Sequence, residues 1–357
     1  KSFFQFHSTR VLLKRTCITI KRLNYFDFCW ERNNPLFLPN PGKVILVKSL
    51  HLNQMQKKHL ISVVGPTAIG KTELAIRLGE HFHTEILSCD SRQFYREMRI
   101  GTAVPTSSEL NRVKHHFIQN RSIREDYNVG TFEKEALEVL TEKFKETDIF
   151  IMVGGSGLYA NAVIRGLDDF PQVDPEIRAG LIHEMETSGL EPLQDKLKTL
   201  DPISYDRIDI QNKQRLIRAL EITEGTGLPF SSFWNKTSKT RNFETLKIGL
   251  RADRDIVYER INQRVDAMMD LGLLDEVRGL YEYRELNALQ TVGYREIFEH
   301  LDGKTSLEFA VSEIKKNTRR FAKRQETWFK KDKEINWFEF DTKTKDIIDF
   351  VESRIKI

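Results

Sequence analysis

The sequence predicts an α/β protein with a doubly wound parallel sheet and an inserted all-helical domain. Apolar stretches of strand length alternate with helix-like stretches over residues 55–165 and again over 244–345, as in parallel sheets covered by helices. Residues 166–243 instead show helical patterns broken by glycine and proline, with no strand candidate. A glycine-rich loop follows the first apolar stretch, and residues 346–357 form a C-terminal tail.

Five stretches are predicted as strands, at residues 60–64, 85–90, 148–155, 245–253 and 335–341. The third, DIFIMVGG, is apolar at successive positions, which is typical of a strand with helices on both faces. Ligands of such sheets bind beyond the carboxyl ends of the strands. We therefore expect the glycine-rich loop, Asp90 and Ser156 to lie along one edge.

Two helices are predicted after the insertion. One covers residues 255–280, and the last begins near Ser306, with Thr305 and Glu308 in the spacing of a capping box. Three apolar side chains of the last helix repeat every seven residues and are predicted to face the core. They are Ile314, Phe321 and Trp328. The basic residues between them are then left for solvent or phosphate.

Residues 1–54 differ from the rest of the chain. They carry nine basic and two acidic side chains, a local net charge of +7, while the whole chain has +4 and the remainder therefore −3. Two interpretations stay open: an Arg-rich targeting peptide, or sequence upstream of a start at Met55. We expect an extension that is unstructured or foreign to the native protein. The body is then cytoplasmic, or organellar if the extension is a transit peptide.

The composition of the body excludes several classes of protein. No stretch approaches the roughly 18 consecutive apolar residues of a transmembrane helix, so no membrane partner is expected. Cys89 is the only cysteine after residue 54, which excludes a disulfide framework or cysteine zinc site there and favours a reducing compartment. We expect a monomer without general affinity for nucleic acid.

The segment GPTAIGKT has the features of a phosphate-binding loop (P-loop). Glycines at both ends let backbone N–H groups point inward, and the following helix contributes its positive dipole end. Lys71 adds a positive charge, and Thr72 can ligate Mg²⁺. The predicted phosphate-binding residues are Gly65, Pro66, Thr67, Ala68, Ile69, Gly70, Lys71 and Thr72.

The acid that usually accompanies such a loop is absent from its usual place. A kinase or nucleotide hydrolase normally has a Mg²⁺-binding acid at the end of an apolar strand. Here the third strand ends in Gly154, Gly155 and Ser156. Asp90 ends the second strand instead, and three roles stay open for it: a Mg²⁺ ligand, a general base or a helix cap.

Arg260 and Arg264 lie four residues apart and hence on one helix face, beside an apolar stripe. The stripe consists of Val257, Ile261, Val265 and Met268. Such a pair is usually a solvated face. Next to a phosphate-binding loop, however, two guanidinium groups can hold a diphosphate bidentately.

Ten segments together resemble one family, the tRNA dimethylallyltransferases, also called tRNA isopentenyltransferases. They are GPTAIGKTELA, DSRQFY, IGTAVPT, HHFI, VGGSGLY, DPEIRA, QRLIRALE, ERINQRVDAMMDLGLLDEV, QTVGYRE and AKRQETWF, in the family's order. The resemblance implies transfer of a dimethylallyl group from dimethylallyl diphosphate to N6 of adenine 37, next to the anticodon of tRNAs that read codons beginning with U. The loop then holds a diphosphate rather than ATP.

The resemblance also implies roles for individual residues. The P-loop, Arg260 and Arg264 bind the diphosphate, with Mg²⁺ as cofactor, and Asp90, Lys71, Thr72 and Ser156 are catalytic. Most members have threonine where this chain has Ser156, so the hydroxyl is retained. The tRNA anticodon stem-loop is contacted by Asp90, Ser91, Arg92, Gln93, Ser156, Arg178, Gln214, Arg215, Leu216, Ile217, Arg218, Gln290, Thr291, Val292, Gly293, Tyr294 and Arg295.

Three other functions stay open at this point. They are an adenylate isopentenyltransferase acting on free AMP, ADP or ATP, a P-loop small-molecule kinase, and a non-catalytic RNA-binding protein. The QRLIRALE stretch in the helical insertion favours RNA over a free nucleotide as the acceptor. His115 and His116 match the family but are predicted to be structural.

Overall fold

The computed structural model describes residues 57–234 and 239–355, so the predicted extension at 1–54 lies outside the described residues. One sheet contains the strands β1 (His59–Val64), β2 (Ile86–Ser88), β3 (His115–His116), β4 (Ile149–Val153), β5 (Glu244–Arg251) and β6 (Ile335–Glu339). Their order is β3-β2-β4-β1-β5-β6, and neighbouring strands pair in parallel. The predicted doubly wound α/β class is confirmed.

The α-helices of the described residues pack either on the sheet or with one another, as those of the insertion do. They are α1 (Lys71–His81), α2 (Ser107–Arg112), α3 (Val129–Lys143), α4 (Gly157–Arg165), α5 (Pro175–Ser188), α6 (Glu191–Leu200), α7 (Pro202–Arg207), α8 (Lys213–Thr226), α9 (Arg254–Asp270), α10 (Leu273–Gly279), α11 (Tyr294–Leu301), α12 (Leu307–Phe329) and α13 (Thr344–Ile355). Within the described residues, no helix is both long enough and apolar enough to cross a bilayer.

The central strands are buried on both faces. Every residue of β4 is buried, and successive side chains alternate between two cores: Phe150 faces the aromatic core beneath α3 and α4, whereas Ile151 faces the aliphatic core beneath α1. Each such side chain contributes about 1.5–3 kcal/mol by leaving water. This two-sided burial keeps the loops at the carboxyl ends of β1, β2 and β4 in fixed positions.

Helices α5 to α8 lie between α4 and β5 in the chain and enclose a core of their own. Leucines from α5, α6 and α8 form this core, including Leu181, Leu193, Leu197, Leu216 and Leu220. Asp174 caps α5 by accepting a hydrogen bond from the Glu176 N–H at 2.9 Å, with Pro175 at the first helical position. On the return to the sheet, Arg241 pairs with Glu133 of α3 at 2.8 Å.

The structure corrects several helix predictions. The single helix expected over residues 255–280 is two helices, because Gly272 adopts a left-handed φ of 94° between α9 and α10. The cap of α12 is Ser306, whose hydroxyl accepts from the Phe309 N–H at 3.2 Å, rather than Thr305. Residues 344–355, assigned in part to the tail, form α13.

The predicted core positions of α12 were wrong for two of three residues. Ile314 is buried, but Phe321 and Trp328 are 39% and 40% exposed. The buried residues of the helix are Ala310, Ile314, Ala322, Gln325 and Phe329, which follow a spacing of three and four. In the second half of the helix the buried face is centred on Ala322, Gln325 and Phe329, so Phe321 and Trp328, each one position before a buried residue, lie at the edge of that face.

Candidate active site

The P-loop bends around the N-terminus of α1 at the carboxyl edge of the sheet. Gly65, Ala68 and Gly70 have positive φ values of 144°, 64° and 109°. A Cβ on Gly65 would lie 2.6 Å from the carbonyl oxygen of Leu250, so only glycine fits there. Amides without helical partners and the positive end of the helix dipole thus face one concavity, which suits an anion.

Three cations converge on this loop. The Lys71 Nζ donates to the Pro66 carbonyl at 2.6 Å, and the Arg260 Nε donates to the Ala68 carbonyl at 2.7 Å. The Arg264 Nη1 donates to the Thr67 hydroxyl at 3.3 Å. The structure therefore brings together the residues predicted to bind a diphosphate.

The cations raise the local positive potential. Burial, and then the Arg264 guanidinium, lower the pKa of Lys71 to about 8, although Asp90 acts in the opposite direction. Burial and the neighbouring Arg260 likewise lower the pKa of Arg264. A bound polyanion would relieve this repulsion, so the site favours diphosphate-like ligands.

Gln325 of α12 joins the loop to the end of β4, a role that the sequence analysis did not predict. Its Oε1 accepts from the Thr67 N–H and its Nε2 donates to the Gly155 carbonyl, both at 2.9 Å. It is only 6% exposed. A glutamine on the apolar face of an amphipathic helix is the signal that could have identified it, because buried amides need partners.

Asp90 follows β2 and lies in the same cavity as the loop. Its Oδ1 accepts from the Arg92 N–H at 3.0 Å in a turn, so the side chain caps a turn rather than a helix. Its Oδ2 has no hydrogen-bond partner among the described residues. One carboxylate oxygen is thus fixed while the other remains available to a substrate.

Ser156 and the segment after Asp90 meet across two strand ends. The Ser91 N–H donates to the Ser156 hydroxyl at 3.1 Å, and the two hydroxyl groups are also 3.1 Å apart. The Arg92 guanidinium donates to the carbonyls of Asn287 and Ala288 at 2.9 and 3.1 Å. Arg92 is therefore occupied in anchoring the segment rather than pointing freely to solvent.

Glu276, which the sequence left unassigned, holds the loop that follows this segment. Its carboxylate accepts from the N–H groups of residues 99, 100 and 101 at 3.0, 2.7 and 3.0 Å, and from the Tyr294 hydroxyl at 2.7 Å. The loop in turn positions Gln93, whose amide donates to the carbonyls of Thr102 and Ala103 at 3.2 and 3.0 Å. Nothing in the sequence pattern indicates this contact.

These elements enclose a cavity of about 630 Å³. Its walls are the P-loop and first turn of α1, Ser88, Asp90 and Gln93, residues 99–106 in part, the end of β4, and Arg264, Ala267, Met268 and Leu271. The volume is in the range of ligand sites for drug-sized molecules. Its lining combines cationic groups at the P-loop, the carboxylates of Glu73, Asp90 and Glu109, and apolar side chains.

The predicted RNA contacts on α8 are divided between surface and core. Gln214 and Arg215 are exposed, whereas Leu216 and Ile217 are 0% and 1% exposed. The side chains of Leu216 and Ile217 pack inside the insertion, so RNA contact at these two positions stays a prediction that can involve only the backbone. None of the α8 positions lines the cavity formed by the described residues.

Two further predicted RNA contacts on the insertion already pair with neighbours. The guanidinium of Arg178 donates to Glu221 at 2.9 Å and to Gln214 at 2.7 Å. Arg218 lies 3.1 Å from the same Glu221. The carboxylate thus holds two guanidinium groups side by side at the surface of the insertion.

Residues 290–295 show a similar division. Gln290 and Arg295 are exposed, and Thr291 is half-buried. Tyr294 is fully buried and Val292 packs on the same core, so these two side chains serve packing and RNA contact at their positions stays a prediction. A Cβ on Gly101 would lie 2.5 Å from the Tyr294 ring, which shows how closely the loop approaches.

An exposed basic face runs along α12. Lys323, Arg324 and Lys331 have no ion-pair partner among the residues that the structure describes, whereas Lys330 pairs with Glu326 at 2.7 Å. The exposed indole of Trp328 packs directly on Gly157, the residue after Ser156. Positive charge and an aromatic ring therefore flank the strand end that carries Ser156.

The donor set for a metal ion is small. In residues 57–234 and 239–355, no group of three or more His, Cys, Asp or Glu side chains is placed to hold one. Thr72 lies in the first turn of α1, next to Lys71, and lines the cavity. This fits a Mg²⁺ that takes most of its ligands from substrate phosphate and water.

Comparisons with known proteins agree on one family. A family model described as IPP transferase matches residues 93–332. The chain is 58% identical to a tRNA dimethylallyltransferase of Christiangramia forsetii, over 83% of this chain and 98% of that one. It is 53% identical to the tRNA dimethylallyltransferase of Flavobacterium johnsoniae, over 84% and 99%.

Solved structures give the same result. The full-length tRNA isopentenylpyrophosphate transferase from Bacillus halodurans is 37% identical with a TM-score of 0.63, covering 84% of this chain and 97% of that one. A eukaryotic dimethylallyltransferase acting on tRNA is 25% identical with a TM-score of 0.69, covering 83% and 80%.

Proposed function

The chain belongs to the IPP transferase family, and from this membership we infer that it is a tRNA dimethylallyltransferase, an enzyme that prenylates tRNA. The observation that carries the inference is the 58% identity to such an enzyme over 98% of that enzyme's length. Relatives acting on tRNA support neither a free-nucleotide acceptor nor a small-molecule kinase.

The finer proposal names the two substrates. The donor is dimethylallyl diphosphate, held by the P-loop, and the acceptor is N6 of adenine 37 in tRNAs that read codons beginning with U. Two features support the donor: three cations converge on the loop, and β4 ends in glycines and a serine where a kinase has its Mg²⁺-binding acid.

The proposed reaction breaks one bond and forms another. The bond between C1 of the dimethylallyl group and the diphosphate oxygen breaks, and its electron pair leaves with the diphosphate. Lys71, the loop amides, Arg260 and Arg264 stabilise the charge that develops there. An allylic carbon ionises readily, so stabilising the leaving group is the main task of the site.

We assign the proton transfer to Asp90. The N6 lone pair forms the new C–N bond, and one N6 proton passes to the carboxylate. The amine is a weak nucleophile because its lone pair is delocalised into the ring, so a base within hydrogen-bond reach assists it. The unpartnered Oδ2 is the atom suited to this role, since Oδ1 is engaged by the Arg92 N–H.

Mg²⁺ is proposed as the cofactor, held on the protein side by the Thr72 hydroxyl. When bound, it neutralises part of the diphosphate charge. The protein residues act in the same place: Lys71 and both arginines orient the leaving group toward the loop amides.

The target base must leave its stack to reach the cavity. We propose that the anticodon stem-loop binds along the exposed face of α12, with Gln214, Arg215, Gln290 and Arg295 as further contacts. Free cations and exposed polar groups at these positions support this.

A cytoplasmic monomer remains part of the proposal. Burial and the nearby Asp90 raise the pKa of Cys89 to about 12, so its thiol stays protonated.

The test is an acceptor assay. Purified protein is incubated with Mg²⁺, dimethylallyl diphosphate and an anticodon stem-loop containing adenines 36 to 38, and the product is analysed by mass spectrometry. We expect one isopentenyl group on adenine 37 and no modification of AMP present in competition. Preferential modification of AMP, or ATP as the true reactant with the five-carbon donor ignored, would contradict the proposal.

A further inference from the structure

We propose that Met268 and Leu271, at the C-terminal end of α9, form the wall that limits the length of the donor's hydrocarbon chain. The proposal rests on the function inferred above, because it assumes an allylic diphosphate in the cavity. It adds the specificity of the site: five-carbon donors are accepted and ten-carbon donors are excluded.

The argument starts from one face of α9. Arg260, Arg264, Met268 and Leu271 follow one another at steps of four, four and three residues, so they lie in one row. The row begins with the two guanidinium groups at the P-loop and continues with apolar side chains that line the cavity. Its polarity matches a donor with a charged tail and a hydrocarbon head.

The neighbouring stripe of α9 is buried more deeply than this row, although Met268 also packs in part against the core that α10 and α11 share. Val257, Ile261 and Val265 are buried at 8% exposure or less, whereas Leu271 is 72% exposed. A single exposed leucine is common and needs no explanation by itself. What distinguishes Leu271 is its position, since its exposed side chain borders the cavity next to the diphosphate cradle.

A second part of the cavity lining, on the loop over residues 99–106, carries apolar side chains between polar ones, and Glu276 holds this loop in place. Ile100 and Val104 line the cavity from the loop that Glu276 grips by three backbone N–H groups. Glu276 lies on α10, five residues after Leu271, so one short stretch of chain carries one wall and holds the other. The hydrogen bonds to Glu276 therefore restrain the loop that lines this part of the cavity.

Lengths indicate which donor fits. At a rise of about 1.5 Å per residue, Met268 lies about 6 Å beyond Arg264 along the helix, and Leu271 about 10 Å beyond. A four-carbon chain with bonds of about 1.5 Å spans about 5 Å, and an eight-carbon chain roughly twice that. On these lengths a dimethylallyl head extends about as far as Met268, whereas a geranyl chain extends as far as Leu271.

The test compares donors rather than total activity. The ratio of kcat/KM for geranyl diphosphate to that for dimethylallyl diphosphate is measured with the same stem-loop in the unaltered protein, Leu271→Ala and Met268→Ala. We expect the ratio to rise about tenfold or more in each variant, since one methylene in an apolar pocket already changes discrimination by about 10- to 200-fold. Leu228→Ala is the matched control, because Leu228 is 53% exposed, follows α8 and lies outside the cavity lining.

A substitution that narrows the cavity provides the converse test of this wall. Ala267 also lines the cavity, so Ala267→Phe should lower kcat/KM for dimethylallyl diphosphate at least tenfold while leaving the affinity for inorganic diphosphate within about twofold. An unchanged donor ratio in both alanine variants, or a variant that is folded by circular dichroism yet transfers neither donor, overturns the proposal. Failure of the unaltered protein to use dimethylallyl diphosphate would instead overturn the inferred function.

Discussion

The P-loop and α8 both contain a contiguous motif, but they use its residues differently. In the P-loop, positive φ values at three positions let successive groups face one concavity. On α8, successive residues point around the helix, so Gln214 and Arg215 reach solvent while Leu216 and Ile217 fill the core of the insertion.

This contrast limits what a motif can assign. A tight loop can aim neighbouring residues at one ligand, whereas a helix divides them between ligand and core with a period of 3.6. The same division occurs at residues 290–295, where Gln290 and Arg295 are exposed and Tyr294 is buried. Motif residues on helices therefore need to be checked one at a time.

The largest effect on the rate of transfer is expected at Asp90, the proposed general base next to the P-loop. Asp90→Asn should lower kcat about 10²- to 10⁴-fold, since an amide cannot accept the N6 proton. The asparagine oxygen can still accept from the Arg92 N–H, so the turn should persist. Single-turnover transfer measures the loss of catalysis. Calorimetry measures the affinity for inorganic diphosphate, which should stay within about twofold of that of the unaltered protein. Unchanged turnover would remove Asp90 as the base.

The second largest effect is expected at Arg264, on the affinity of the P-loop for diphosphate. Arg264→Ala should weaken binding of inorganic diphosphate about 10- to 100-fold, because hydrogen bonds to charged groups contribute roughly 1.5–3 kcal/mol. Isothermal titration calorimetry provides the measurement. Arg254→Ala is the control, since that guanidinium lies 4.9 Å from the Tyr258 ring and outside this cavity. Equal affinities in the two variants would argue against a role for Arg264.

The pH dependence of donor binding tests the role of Lys71 in holding the diphosphate. The pKa of Lys71 is lowered to about 8, so its ammonium is present below that pH and is lost as the pH rises through it. Affinity for a donor analogue of constant charge should then fall above about pH 8, by at most about tenfold per unit for one proton. Lys71→Arg should abolish the decline, and an identical decline in that variant would assign it to another group.

The smallest effect concerns α8 and separates its two kinds of residue. Arg215→Ala should lower affinity for the stem-loop a few-fold and reduce the slope of log K against log salt by about 1, without changing the unfolding temperature. Filter binding at several salt concentrations measures this. Leu216→Ala should instead lower the free energy of unfolding by about 2–5 kcal/mol, because it leaves a cavity in the insertion core. Reversal of the two phenotypes would contradict the division of α8.

The sequence predicts what depends on neighbouring residues and misses what depends on distant ones. Apolar strands, the P-loop and the arginine row of α9 are all visible over fewer than about twenty residues, and the structure contains them. The Thr67–Gln325 hydrogen bond joins residues 258 positions apart, and Glu276 reaches back more than 170 positions to its loop. No local pattern encodes such partners.

Short elements and helix faces account for the remaining differences. Strand β3 has two residues, His115 and His116, too few to give an alternating pattern. The break at Gly272 was hidden because helical periodicity resumes directly after it. Phe321 and Trp328 were placed in the core by a seven-residue repeat, although the buried face of α12 follows steps of three and four.

The shape of the P-loop is held by protein groups on every side, through the Pro66 carbonyl, the Ala68 carbonyl and the Thr67 amide. A receptor so rigid loses little entropy when it is filled. Because the same groups stabilise the charge that develops as the bond to carbon breaks, they also hold the released pyrophosphate firmly. We therefore expect release of pyrophosphate to limit turnover, and pyrophosphate to inhibit the enzyme by competing with the donor for the P-loop.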